Sequence, residues 1–277
     1  MKHTSVLRSL CIVVGALVAA AAVISLSLHN AQRPTAVEVG APATTSSTSS
    51  TTTSSTSTTS TSTSTSTSTT STTVAAEPAP ATLRRGDTGP AVAALQRDLH
   101  GLGYWLGARN STYGLLTEQA VTAFQKVEGL ERDGIAGPAT LAALETATRP
   151  RTTAKGNLIE IDKARQVLFV VRAGAVSWTL NVSTGTERPY QVDGRTELAD
   201  TPPGHWTVDW AVDGVDVGAL GALYRPRYFH TDGIAVHGYH SVPPYPASHG
   251  CVRVTEAAMD WVWSEGLMPL GSAVWVH

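Results

Sequence analysis

From Thr44 to Thr73 the chain reads thirty successive Ser and Thr residues without interruption. Such a run has no apolar surface with which to offset the entropy of ordering, so none of it can join a packed core. The tract divides the chain and confines folding to what flanks it. With its neighbours it reads as a disordered linker over residues 31–81. As a flexible coil the tract spans about 30 Å, and on the order of 100 Å fully extended. That suits either a tether or a plain spacer, open in both cases to O-glycosylation.

Ahead of the linker, residues 1–30 place Lys2 and Arg8 before an uncharged apolar stretch, Leu10 to Leu28. The stretch is longer than the roughly 7 to 15 residues of a signal-peptide core and close to the roughly 17 to 25 that span a bilayer. It is therefore a signal peptide or a membrane anchor. "SLSLHNA", Ser25 to Ala31, offers no clear small-x-small cleavage site, which favours the anchor. Either way the rest of the chain is expected outside the cytoplasm, in the cell envelope. Cys11 lies inside this run and reads as a small hydrophobe. A net charge of −2, with 15% charged residues and no basic patch interleaved with aromatics, argues against nucleic acid as a partner.

The ordered remainder changes period once. From Leu83 to Leu144 the apolar spacing is helical and predicts three short helices. Pro90 sits in the first-turn position where its missing N–H costs nothing, and Val92, Leu95 and Leu99 share one face. A second helix is expected from an N-cap at Thr117, burying Ala120, Val121, Phe124 and Val127. A third starts at Pro138 and buries Leu141 and Leu144. "VAALQ" (Val92 to Gln96) returns as "VTAFQ" (Val121 to Gln125), and "GLLT" (Gly114 to Thr117) as "GPAT" (Gly137 to Thr140). Two copies are too few for a solenoid and suggest a duplicated helical hairpin.

After a connector at 149–156, short runs rich in Val, Ile, Trp and Thr predict a β-rich domain: "NLIEID", "QVLFVVR", "AVSWTLNVS", "GHWTVDW", "GIAVHG", "CVRV" and "SAVWVH". One helix is expected at Thr255 to Glu265, capped by Thr255. Six of the seven tryptophans fall in this region, and at least four of the six are expected in the core or between sheets. The expected fold class is α+β multidomain: a small all-α three-helix domain, then a mainly β domain with one or two helices.

In an exported chain the second cysteine, Cys251 in "SHGCVRV", has no intrachain partner. It lies near His237, His240 and His249. A thiol near its free pKa of about 8.5 is only a few per cent thiolate at neutral pH, so a nucleophilic cysteine needs a base beside it. His249, two residues away, would share a face with Cys251 in an extended segment. His237 could reach it if "GIAVHG" and "CVRV" pair as strands across the loop Gly238 to Gly250, and this arrangement is favoured. Three readings remain at this level: a buried small hydrophobe, a zinc ligand set of His237, His240, His249 and Cys251, and a Cys–His nucleophile acting on an acyl group.

Two stretches carry family resemblances. "LRRGDTGPAVAALQRDLHGLGY" with "YGLLTEQAVTAFQKVEGLERDGIAGPATLAAL" resembles the three-helix peptidoglycan-binding domain, implying a wall-targeting module at 82–148 without chemistry of its own. "TPPGHWTV", "IAVHG" and "SHGCVRV" resemble the L,D-transpeptidase catalytic domain over 157–277. The resemblance implies Cys251 as nucleophile, His237 as general base, and the backbone at Gly238 as the group orienting the imidazole. Ser248, His249, Gly250 and Arg253 complete the motif. The N–H groups of Gly250 and Cys251 are the implied oxyanion donors, and Arg253 is either a contact for a stem-peptide carboxylate or a structural ion pair.

The implied transferase acylates Cys251 with a tetrapeptide stem, releases D-Ala, and passes the acyl group to a second stem as a 3→3 crosslink. Such chemistry serves wall biogenesis and cell shape, needs no cofactor or metal, and is open to inhibition by β-lactams. L,D-carboxypeptidase action, protein attachment to peptidoglycan by the same chemistry, and a non-catalytic wall-binding role are the alternatives. The spacing from His237 to Cys251 is somewhat tight for this family.

Overall fold

The computed structural model of the protein describes residues 82–277. The expected signal or anchor, Cys11 and the Ser/Thr linker lie outside the described residues. Among the described residues, no helix is long and apolar enough to cross a membrane.

Three helices come first: α1 (Pro90–Gly101), α2 (Leu115–Glu128) and α3 (Pro138–Thr146). Val92, Leu95, Leu99, Val121 and Phe124 meet in one core, joined by Tyr104 and Tyr113. The internal repeat has a physical basis in two matching clasps. Gln96 Nε2 donates to Thr117 Oγ1 (2.9 Å) and Thr112 O (3.0 Å), while its Oε1 accepts from Ser111 N–H (3.0 Å). Gln125 does the same one repeat later, with Thr140 Oγ1 (3.2 Å), Ile135 O (3.0 Å) and Gly134 N–H (2.9 Å). Each glutamine spends both ends of its amide on the loop and helix that follow it, so each hairpin is closed by its own sequence repeat. Thr117 is therefore not the N-cap expected of it. Gly114 occupies that position, α2 begins earlier, and the Thr117 hydroxyl is buried as the clasp's acceptor.

Twelve strands and one helix follow. They are β1 (Leu158–Asp162), β2 (Val167–Arg172), β3 (Ala175–Asn181), β4 (Pro189–Val192), β5 (Arg195–Leu198), β6 (Gly204–Thr207), β7 (Trp210–Ala211), β8 (Val215–Gly218), β9 (Gly221–His230), β10 (Ile234–Tyr239), β11 (Val252–Thr255), α4 (Glu256–Ser264) and β12 (Ala273–Val276). One sheet runs β3-β2-β1-β12-β6 and the other β11-β10-β9-β7, with β8 on β9; β4 and β5 form a separate hairpin. Among these strands only β1–β12 and β10–β11 pair in parallel. Ile161, Leu168 and Val170 of the first sheet meet Phe229, Val236, Val252 and Val254 of the second, with Met259 and Val262 of α4 in the same core. Thr255 caps α4 as expected, its hydroxyl accepting from Ala258 N–H (3.1 Å). Trp178, Trp206, Trp261 and Trp263 pack half-buried on this core, whereas Trp210 is 56% exposed.

The helices dock on β3, the edge of the first sheet. Trp105 N–H donates to Thr179 O (3.0 Å) and Thr179 N–H to Gly103 O (2.7 Å), so the chain after α1 pairs briefly with that edge. Trp105 lies 5.2 Å, centroid to centroid, from Trp261, and His100 lies 5.2 Å from Trp178. Arg149, in the connector, ties Ser177 O (2.5 Å) to Gly101 O (2.9 Å). Lys126 of α2 is buried against the sheet, donating to Gln166 O (2.9 Å), Val182 O (3.0 Å) and Asn181 Oδ1.

Candidate active site

"GIAVHG" and "CVRV" do pair: β10 and β11 run parallel, with Val236 opposite Val252 and His237 opposite Arg253. Cys251 is the residue just before Val252. Side chains alternate along strands, which sets Cys251 on the same face as Ala235 and His237. Both Cys251 and His237 line one open cavity of about 470 Å³. Its walls are the β4–β5 hairpin, with Tyr190 and Arg195, and the β8–β9 hairpin with Leu220 and Leu223; Trp210, Tyr228 and Tyr239 also face it.

His237 is 3% exposed, and its Nδ1 lies 2.9 Å from Gly238 O. A carbonyl can only accept, so Nδ1 carries the proton and Nε2 is left with its lone pair free. Burial pushes the imidazole pKa down to about 4, against a smaller upward effect of the Gly238 bond, with the Arg253 charge adding to the fall. The ring is therefore neutral at physiological pH. This buried neutral ring has a stability consequence. The unfolded imidazole, near 6.5, binds a proton that the folded one refuses, so stability falls as pH drops from about 6.5 towards 4. Urea midpoints measured across that window should fall with pH, and His237→Gln should flatten part of the fall; equal slopes for both proteins would contradict the assignment.

Burial pushes the Cys251 thiol above its usual value, partly opposed by the Ala235 N–H and the Arg253 charge. Its Sγ lies 3.7 Å from Gly233 O, to which the thiol donates. The turn before it is built from within. Ser248 Oγ donates to Cys251 O (2.5 Å) and accepts from Gly250 N–H (3.0 Å), while Thr201 Oγ1 donates to Gly250 O (2.5 Å) and accepts from Gly185 N–H (3.0 Å). Gly250 has φ +148°, and a Cβ there would sit 2.7 Å from both Asp200 O and Ile234 Cδ1. Glycine is required on both counts. Gly238 is required for space alone: a Cβ would sit 2.7 Å from the Tyr224 ring and 3.0 Å from the Glu256 backbone, where α4 crosses β10.

The remaining motif residues divide. His249 is exposed and lies against Tyr190 (4.7 Å between centroids), because the Gly250 turn breaks the extended segment that would have aligned it with Cys251. His240 is exposed beside Tyr239. Among the described residues no three His, Cys, Asp or Glu side chains gather as a metal-binding group. Arg253 makes no ion pair among the described residues. Its NH1 donates to Ala247 O (3.0 Å), its guanidinium lies 4.2 Å above the Tyr239 ring, and its buried Nε has no partner. The Gly250 N–H is already engaged by Ser248, whereas the Cys251 N–H bonds no protein acceptor among the described residues. Thr201 was visible only as the first letter of "TPPG"; nothing in the sequence tied it to the cysteine turn.

Comparison with known proteins matches residues 88–144 to a putative peptidoglycan binding domain and residues 156–276 to the L,D-transpeptidase catalytic domain. A crystal structure of an L,D-transpeptidase (residues 123–326) from Xylanimonas cellulosilytica is 46% identical, with a TM-score of 0.69, over 73% of this chain and 100% of that one. The L,D-transpeptidase of Stackebrandtia nassauensis is 22% identical with a TM-score of 0.39, over 70% of this chain and 94% of that one. N-acetylmuramoyl-L-alanine amidase CwlM of Mycobacterium tuberculosis is 43% identical over 56 residues, 20% of this chain and 14% of that protein's length. The cavity holding a thiol and a buried imidazole on adjacent strands thus lies within the matched catalytic region, and the chain belongs to the L,D-transpeptidase family, with a peptidoglycan-binding domain ahead of its catalytic domain.

Proposed function

We propose that the protein is a cell-wall L,D-transpeptidase that works through a thioester on Cys251. The observation that carries this reading is the placement of Cys251 and His237 on one face of the parallel pair β10–β11, with Nδ1 of His237 committed to Gly238 O and Nε2 left to accept a proton. His237 Nε2 takes the thiol proton as Sγ attacks the carbonyl of the third residue, a diaminopimelate, of a tetrapeptide stem. The C–N bond to the terminal D-Ala breaks, its amine leaves with the proton from His237, and the acyl group stays on sulfur. A side-chain amine of a second stem then attacks the thioester and frees the thiol, giving a 3→3 crosslink. Water as acceptor gives L,D-carboxypeptidase action at the same site.

Of the two amides expected to hold the oxyanion, that of Cys251 is the available one. Gly250 serves by its turn, which Ser248 and Thr201 brace. Arg253 lines the cavity and retains guanidinium donors beyond its Ala247 bond with which to meet a stem-peptide carboxylate. His249, with Tyr190, forms part of the rim over the bound stem. The α1–α3 region binds peptidoglycan and keeps the enzyme at the wall, outside the cytoplasm. β-Lactams that acylate Cys251 inhibit it.

The test is mass spectrometry of purified muropeptides incubated with the protein and with Cys251→Ala. The unmodified protein should release D-Ala, form crosslinked dimers and gain the mass of one acyl group. Cys251→Ala should do none of these, and D-Ala release persisting undiminished in the variant would sink the assignment.

A further inference from the structure

The loop joining base to nucleophile, from His240 to Gly250, is held from two sides. Its end near Cys251 is fixed within the β domain: Ser183 Oγ donates to Tyr245 O (2.8 Å), and Ala247 and Ser248 N–H both donate to Thr184 O (3.1 and 3.0 Å). Its end near His237 is fixed at Val242, itself 5% exposed, whose carbonyl accepts from Asn181 Nδ2 (3.1 Å) and from Gln119 Nε2 (3.3 Å). Gln119 belongs to α2, in the helical domain.

The direction of every bond in this network is determined. Val242 O can only accept, so the Asn181 atom facing it is Nδ2, which also reaches Gln119 Oε1 (2.6 Å) and leaves Asn181 Oδ1 for Lys126 Nζ. Gln119, accepting through Oε1, then presents its own Nε2 to the same carbonyl. One residue of α2 and one of β3 thus converge on a single peptide group three residues beyond the end of β10, with Lys126 of α2 holding the β3 residue from behind. Trp105, Gln119, Asn181 and Ala258 line a pocket of only about 10 Å³ beside these bonds, about the space of a single water.

We propose that Gln119, Asn181 and Lys126 are positioning residues for acyl transfer: the helical domain holds the Val242 peptide and thereby the separation of His237 from Cys251. The helical domain is then part of the active site's framework as well as a wall-binding module. This inference rests on the proposed Cys251–His237 chemistry for its catalytic consequence and on geometry alone for the anchoring.

Two variants of the full chain test it. Gln119→Ala removes one donor from a half-buried side chain. Asn181→Asp keeps an acceptor for Lys126, so the domains stay docked, and replaces the amide donor with a carboxylate facing the Val242 carbonyl. Losing one such bond costs about 1 kcal/mol, roughly fivefold. Both variants should therefore speed hydrogen exchange of the 240–247 amides by about fivefold or more while α1–α3 exchange and Tm stay near the parent's. For D-Ala release from a tetrapeptide donor, kcat should fall by about fivefold or more with KM little changed. Unchanged exchange of the loop in both variants overturns the anchoring. Faster exchange with kcat within twofold of the parent overturns the positioning role. A parent protein that releases no D-Ala from any donor defeats the proposed function instead, and loop exchange then decides the anchoring by itself.

Discussion

His237→Gln should lower the rate of acyl-enzyme formation by about 10²- to 10⁴-fold, the range typical of a positioned general base. Its pH dependence should change shape as well. In the parent protein the imidazole is neutral above about 4 and the thiol is held above its usual pKa, so the pair stays in its reactive protonation state across the neutral range. The acylation rate should be nearly flat there and fall only towards pH 4. In His237→Gln nothing takes the proton, and the rate must follow the thiolate fraction, rising about tenfold per pH unit through neutrality. Stopped-flow acylation by a β-lactam between pH 5 and 8 separates the two cases. A parent rate that itself climbs tenfold per unit would show that His237 does not act as the base.

Lys126→Met should destabilise the folded protein at pH 7 by about 2–4 kcal/mol, because a side chain of similar length leaves two buried carbonyls and the Asn181 amide without their donor. For a chain of this size that lowers Tm by roughly 5 to 15 °C. Burial pushes the Lys126 pKa down from an ordinary 10.5, with the nearby Arg132 charge acting in the same direction. As pH rises the folded chain therefore gives up this proton before the unfolded chain does. The parent's stability advantage over Lys126→Met should therefore grow from pH 7 to pH 9. Calorimetry at the two pH values checks both parts; a variant as stable as the parent at each would mean that the buried amine adds nothing to docking.

The sequence exposed these two residues unequally. His237 and Cys251 were legible because a thiol next to Gly in a polar turn is a poor core residue, and because "GIAVHG" and "CVRV" carry the strand pattern that pairs them. Lys126 was invisible: on a helix its spacing reads as an ordinary solvated lysine, and only the docked sheet makes it an interior donor. Seven apolar runs marked most of the strands, but β4, β5, β8 and β9 left no such trace. β5 is wholly exposed and so lacks the alternation that signals a strand, while β4 alternates between exposed and half-buried over only four residues, too few to stand out. β9 contains Pro226, and Arg225 has φ +50°, so its pattern breaks midway; its partner β10 registers the break as a shift near Val236. The walls of the cavity come largely from these four strands, which is why the chemistry could be read before the shape around it. The clasps at Gln96 and Gln125 are the converse case: the repeat was plain, and its purpose emerged only with the bonds.

The short pairing of Tyr104 and Trp105 with Thr179 changes what a domain border means in this chain. An edge strand left open is a template for another chain's backbone, and β3 is the edge on which α1–α3 rest. A fragment cut at the 149–156 connector would carry a clean catalytic sequence yet present that strand and the indole faces of Trp178 and Trp261 to solvent. The helical domain thus doubles as a built-in guard against self-association, and exchanging it for another wall-binding module would require the newcomer to supply both the strand partner and the aromatic cover.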